Sequence, residues 1–275
     1  MLTIARGTSP GPLTAAPAYP EPVAEGDTVH RIAARLGGAL GGRTIELAEA
    51  PSPRSPLHRR AGELRGRALE RAEARGKHLI ASFSGGLAVH SHLGINGSWR
   101  IRGDGRRPRG AAWLVLGSGR AVAAQFNGRL LRLVPESRVR NDPALLRLGP
   151  DPLAPGFEVE AAAARLLRAG DGREVGEALL DQEVVAGIGN AIRNEACFRA
   201  RVSPWRRLGD LAAGEAERLI AESQWVMETA LDTGRRPHSI YREAGRPCPR
   251  CGATIRSRGQ GDANRIAYWC PGCQS

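Results

Sequence analysis

Four of the five cysteines fall in two pairs near the end of the chain, Cys248-Pro-Arg-Cys251 and Cys270-Pro-Gly-Cys273, with eighteen residues between them. Each Cys-x-x-Cys fits a tight turn that presents two thiolates to one ion. Two such turns at the ends of a short hairpin close a tetrahedron. The pattern therefore predicts a zinc ribbon holding one Zn2+ through Cys248, Cys251, Cys270 and Cys273. The N-terminus has no apolar run that reads as a secretion signal, so a metal site in a reducing cytosol is expected rather than disulfides. With four protein ligands the ion has no open position, and its role is structural. Such a finger acts through what it displays. Arg265 lies five residues before Cys270 and is expected near the hairpin tip beside Arg256, Arg258 and Tyr268. It suits a phosphate, with a solvated charge as the plain alternative.

The charge balance points the same way. Forty Lys and Arg stand against 28 Asp and Glu, for a net charge of +12 and a pI of about 10.8. A surplus of that size, with no stretch approaching the roughly 20 apolar residues of a membrane span, favours a nucleic-acid partner over a merely basic surface. Lys77 is the one lysine among the forty cations. Arginine stays protonated, whereas a lysine can lose its proton when its surroundings depress its pKa. Lys77, in Arg75-Gly-Lys-His-Leu79, is thus a candidate for chemistry or else a stray surface lysine.

A chain of 275 residues is long enough for two domains. Residues 1–22 hold Pro10, Pro12, Pro17, Pro20 and Pro22 among small residues without periodicity. Residues 1–23 are expected to be a disordered tail or a mis-assigned start. A helix is expected from Asp27 as N-cap, with Val29, Ile32, Ala33 and Leu36 on one face and Gly37-Gly38 ending it. Short apolar runs cut by glycine follow, at 79–83, 87–92, 112–116, 121–126 and 130–134, and predict a β-sandwich lobe over 24–142. A linker over 143–156 includes Gly149-Pro-Asp-Pro152. Helices are expected at 159–168, 174–185, 190–199 and 210–231, within a helical domain over 157–235, and the finger occupies 236–275. The class is α+β and bilobal. Gly187 and Gly189 allow a sharp turn before a helix that Asn190 is expected to cap, and the free N–H groups there form an anion site. Cys197 reads as core. His90 and His92 share one face of a strand, where packing or DNA contact is preferred over a shared metal.

These pieces occur in a familiar order. Ala24-Glu-Gly-Asp-Thr-Val-His30, Gly76-Lys-His-Leu79, His90-Ser-His-Leu93 with Gly97-Ser-Trp99, Leu179-Leu-Asp-Gln182 through Gly187-Ile-Gly-Asn190, and the four-cysteine finger together resemble the formamidopyrimidine-DNA glycosylase and endonuclease VIII family. The likeness spans roughly residues 24–275 and leans to the actinobacterial endonuclease VIII branch. It implies an N-terminal β-sandwich with a flanking helix, a helix–two-turn–helix domain and a zinc finger. It also implies a bifunctional DNA glycosylase and abasic-site lyase of base excision repair, removing oxidised bases, pyrimidines favoured, from damaged double-stranded DNA after flipping the nucleotide. A monomer in the bacterial cytoplasm, held to the nucleoid through DNA, is implied as well. Residue by residue, Glu25 matches the catalytic acid and Lys77 the proton donor in β-elimination. Asn190 matches the phosphate-binding asparagine, and Arg265 the finger arginine that assists δ-elimination. Ile95 stands where a void-filling side chain is inserted, and the remaining wedge residues fall within 125–131, with Arg129 a DNA contact.

The chain departs from that pattern at the nucleophile, which should be an N-terminal proline. Ala24 occupies the place, and an amide nitrogen there cannot attack a sugar. If translation starts at Val23, removal of the initiator methionine leaves Ala24 with a free amine of pKa roughly 8, able to form a Schiff base. If the extension is retained, the protein binds lesions without this chemistry. Lys77 as nucleophile is a third possibility. Rival readings are a non-catalytic damaged-DNA-binding protein on the same scaffold and a zinc-ribbon protein of the transcription or translation machinery.

Overall fold

The computed structural model describes residues 23–275. The segment expected to be a tail or a mis-start lies outside them apart from Val23. Helix α1 (Gly26–Leu40) buries Val29, Ile32, Ala33, Leu36 and Leu40 along one face. Two expectations fail here. Asp27 is not the cap: Glu25 holds that position, and Asp27 sits in the first turn, where the Arg236 guanidinium grips its carboxylate through two bonds of 2.6 Å. A paired, charge-assisted bond is stronger than a cap bond to a neutral amide. Gly37 and Gly38 do not end the helix, because Leu40 is fully buried one turn later and anchors the extra residues.

Eight strands follow: β1 (Leu47–Glu49), β2 (Leu69–Arg75), β3 (His78–Phe83), β4 (Leu87–His92), β5 (Ser98–Arg102), β6 (Leu114–Ser118), β7 (Ala121–Phe126) and β8 (Leu130–Pro135). They form two four-stranded antiparallel sheets, ordered β1-β6-β7-β5 and β2-β3-β4-β8. The buried faces meet in one core with α1, through Leu36, Leu40, Leu79, Phe83, Leu114, Leu116 and Leu133. This is the expected sandwich. Strands β1, β2 and β5 had no counterpart among the apolar runs, and all three are sheet edges. In β2, Leu-Glu-Arg-Ala-Glu-Ala-Arg, only Leu69 is buried. Charged edge strands lack the alternation that marks a half-buried one.

Short helices α2 (Glu136–Arg140) and α3 (Pro143–Leu146) close the lobe. Their Val139 and Leu145 pack on Ile80 and Ala88, covering part of the outer face of the β2-β3-β4-β8 sheet. The second lobe has its own core among α4 (Val159–Leu167), α5 (Val175–Ala178), α6 (Asn190–Ala200) and α7 (Ala213–Thr233), and fully buried Cys197 belongs to it. The helix expected over 174–185 survives only as α5. Beyond it, side chains take over the backbone partners. Asp181 Oδ1 accepts from the Glu183 amide at 2.9 Å, and the Gln182 amide bonds Leu180 O, Ile188 O and Gly187 N within 3.0 Å. Such local bonds favour turns over helix. The chain ends in a hairpin of β9 (Arg256–Gln260) and β10 (Arg265–Trp269).

Candidate active site and metal centre

A cleft of about 1160 Å³ separates the lobes, and Ala24, Glu25, Lys77, Ile95, Arg129, Asn190 and Arg265 all line it. Three structural units thus converge on one space. The sandwich supplies Lys77, Ile95 and Arg129, the turn before α6 supplies Asn190, and the finger hairpin supplies Arg265.

The floor is made by the segment preceding α1. Gly26 N donates to Gly187 O at 2.9 Å, and a side chain at Gly26 would lie 2.8 Å from Gly187 Cα. Only glycine allows this approach, which carries Glu25 across the gap between lobes. The Glu25 carboxylate, 1% exposed, accepts from Ala191 N at 2.9 Å and Ile192 N at 3.1 Å. Glu25 therefore caps α6, and the expected capping by Asn190 does not occur. A full carboxylate takes two of the free N–H groups and meets the positive end of the helix. Asn190 is the first helical residue. Its Nδ2 donates to Ile266 O at 3.1 Å, and its Oδ1 accepts from Arg193 Nη2 at 2.5 Å.

Lys77 rides on a turn held from both sides. Gly76, at φ +56°, packs against Ala186 and Gly187, and its amide donates to Asp151 Oδ2 at 2.7 Å. The Lys77 ammonium donates to Ile188 O at 2.6 Å. Burial pushes its pKa down to about 8; nearby Glu25 opposes this, and Arg265 and Arg236 add to it. An amine in that range exchanges protons near neutral pH.

Ile95, in the β4–β5 turn, is 63% exposed, and Arg129 lies in the β7–β8 connection. The two loops pack together: Arg129 N donates to His92 O at 2.8 Å, and a side chain at Gly94 would meet Arg129 Cβ at 3.1 Å. An exposed aliphatic side chain beside an arginine on the cleft wall has the shape of a wedge with a phosphate contact.

Four supporting residues were given no role by the sequence. Arg236 binds Asp27 and also donates to Val23 O at 3.2 and 3.3 Å, fixing the chain next to Ala24. Asp151 holds the Lys77 turn. Gln182 ties the turn around Gly187. Arg193 is fully buried and joins α6 to the finger, donating to Gln260 Oε1 at 2.7 Å and Ile266 O at 2.9 Å; burial lowers its pKa to about 10, so it stays charged at neutral pH. Gln182 was visible as part of a motif. The others resemble ordinary charged residues until the fold brings their partners near.

In the finger, Cys248, Cys251, Cys270 and Cys273 place all four sulfurs within 4.8 Å of one another. The Cys248–Cys273 and Cys251–Cys270 Sγ separations are 3.8 and 3.4 Å. A tetrahedral ion with bonds of about 2.3 Å needs sulfurs roughly 3.8 Å apart, so the four fit a metal ion. Among the described residues no other group of three or more His, Cys, Asp or Glu could hold one.

The formamidopyrimidine-DNA glycosylase N-terminal domain matches residues 23–133, and the H2TH domain of the same glycosylases matches residues 148–241. The chain is 38% identical to the probable endonuclease 8 2 of Streptomyces coelicolor, over 91% of this chain and 94% of that protein. It belongs to the formamidopyrimidine-DNA glycosylase family. The DNA-(apurinic or apyrimidinic site) lyase Nei2 of Mycolicibacterium smegmatis is 36% identical over 91% of this chain and 98% of its own length. Among solved structures, a complex of Lactococcus lactis Fpg with DNA containing an abasic site shares the fold at TM-score 0.77 and 23% identity, covering 91% of this chain and 99% of that one. The family resemblance and bilobal fold expected from the motifs are borne out. No helix among the described residues is long and apolar enough to cross a membrane.

Proposed function

We propose that this chain is a bifunctional DNA glycosylase and abasic-site lyase of base excision repair, acting in the bacterial cytoplasm on oxidised bases, pyrimidines favoured, in duplex DNA. The single observation that carries the reading is the convergence of Ala24, Glu25, Lys77, Asn190 and Arg265 on one interlobe cleft. The family relatives named as endonucleases and lyases support it. So does the DNA-bound fold neighbour.

In this reading the nitrogen of Ala24, once free as a primary amine, attacks C1′ of the flipped nucleotide. Glu25 takes a proton from the attacking nitrogen and passes it to the sugar ring oxygen, the C1′–base bond breaks, and the base leaves. The resulting imine must be protonated to withdraw electrons. Loss of a C2′ proton then expels the 3′ phosphate, with Lys77 as proton donor. Asn190, Arg265 and Arg129 hold the kinked backbone, and Ile95 fills the space left by the flipped base. The four cysteines hold a structural zinc ion that keeps Arg265 in place.

Incubation with duplexes carrying thymine glycol, 8-oxoguanine or an abasic site, with borohydride added, tests the proposal. A covalent adduct ending at Ala24 and a nicked product are expected. Binding of abasic DNA without an adduct or a nick would instead establish the binding-only alternative.

A further inference from the structure

His78, His90 and His92 face one side of the β2-β3-β4-β8 sheet, and the mechanism above uses none of them. His78 pairs with His92 across β3 and β4, and His90, opposite Ile80, lies two residue pairs further in. At its far end α2 and α3 cover this face. At its near end it reaches the cleft, which His92 lines together with Lys77, the residue before His78.

The hydrogen bonds along this face run in one direction. Arg132 is ion-paired with Asp142 and sends Nε and Nη2 to His90 Nδ1 at 3.2 and 2.9 Å. A guanidinium only donates, so His90 Nδ1 carries no proton and His90 is the neutral Nε2–H tautomer. That Nε2–H lies 2.8 Å from His78 Nδ1, which must accept. His78 is then also neutral, with its proton on Nε2. Separately, the Gly94 amide donates to His92 Nδ1 at 3.1 Å and sets the same tautomer there. Burial and neighbouring cations agree, pushing His78 down to about 3 and His90 and His92 to about 4. The His78 and His92 rings meet edge to face at 4.7 Å, so the chain of donors ends beside His92, which lines the cleft. His78 Nε2 has no acceptor among the described residues.

We propose that His78 donates this Nε2–H to a phosphodiester oxygen of DNA at the edge of the cleft, beside His92, as an uncharged contact whose polarity is fixed by Asp142, Arg132 and His90. This rests on the DNA reading above and adds a contact to it. An uncharged donor adds affinity without releasing a counterion. It therefore leaves the salt dependence of binding unchanged, whereas each cationic phosphate contact contributes about one unit of slope.

The test measures affinity for a duplex with a tetrahydrofuran abasic analogue across a salt series, for the wild type, His78→Phe, His78→Gln and Arg129→Gln. Glutamine keeps an N–H near the Nε2 position. His78→Phe is expected to bind about three- to tenfold more weakly with the wild-type slope, and His78→Gln within about twofold of wild type. Arg129→Gln is expected to lower the slope by about one unit. Nitrogen NMR of the free protein should show His78 and His90 protonated on Nε2. Wild-type affinity in His78→Phe, a slope lowered by one in that variant, equal losses in both His78 variants, or protons on Nδ1 would each overturn the contact. A wild type that does not bind the duplex would overturn the DNA reading itself, and this contact with it.

Discussion

One oxygen of Asp151 ties helix α1 to the lysine turn: Oδ2 accepts from the Gly76 amide at 2.7 Å and from His30 Nε2 at 2.8 Å. Asp151 stands between α3 and α4, His30 on α1, and Gly76 directly before Lys77. Those bonds hold the buried carboxyl below the ordinary carboxylate range, against the upward push of burial. The amide of Lys77's neighbour is thus fixed by a charge that also ties down α1.

Asp151→Ala should therefore loosen the lysine turn more than it weakens DNA binding. Nicking of abasic DNA is expected to fall roughly 10- to 100-fold in kcat, since small misplacements of a reacting group cost that much. KM should change by no more than about threefold, and Asp151→Asn, which keeps an acceptor for Gly76, should retain most of the rate. Steady-state kinetics on a preformed abasic duplex decide it; an unchanged kcat in Asp151→Ala would remove the positioning role.

Gly189→Ala probes Glu25 without touching it in sequence. A Cβ at Gly189 would fall 2.3 Å from Glu25 Cδ, so the carboxylate must leave its place over α6. We expect base release to drop about 100-fold, the scale of losing a general acid. The protein should also lose about 1–2 kcal/mol of stability with the helix cap. Single-turnover base release and thermal unfolding measure the two effects, and normal release from the variant would show that the carboxylate position is not critical.

The depressed pKa of Lys77, about 8, sets a pH window. A proton donor is competent below its pKa and lost as pH rises through it, so elimination should decline on the alkaline side near pH 8. The Ala24 amine, with a reference pKa also near 8, must instead be unprotonated, so attack should rise toward that pH. Nicking of abasic DNA is expected to peak there. Lys77→Arg should bind DNA normally but nick slowly, and its residual activity should lack the alkaline fall because a guanidinium keeps its proton. Rate–pH profiles of the two proteins give the answer.

Metal analysis should find one zinc per chain, and stripping it should weaken DNA binding, because the finger carries Arg265. Cys270 is fully buried among the other sulfurs, so Cys270→Ser is expected to lose both the ion and the order of the hairpin. Retained zinc and retained affinity in Cys270→Ser would contradict the assignment.

Much of the site was legible because it is written in short motifs. The Cys-x-x-Cys pairs, Gly76-Lys77 and Gly187-Ile-Gly-Asn190 each carry their own local geometry. The errors were local bonds that lost to distant ones. Asp27 has the chemistry of a helix cap, but Arg236, 209 residues away in sequence, takes it. Asn190 has the same chemistry, but Glu25 reaches its helix first. Edge strand β2 was invisible because it buries only one side chain.

By itself the sequence determined the composition of the site: a sulfur cluster at the end, a strongly basic surface, one lysine and an ordered set of motifs. The tertiary structure decided how those groups are held. Glu25 meets Ala191 across 166 residues, and Asp151 meets Gly76 across 75. A repeating pattern records which faces are buried and which bonds close within a turn. Bonds between a carboxylate on one lobe and amides on another leave no such trace, because their partners become neighbours only when the two cores pack together.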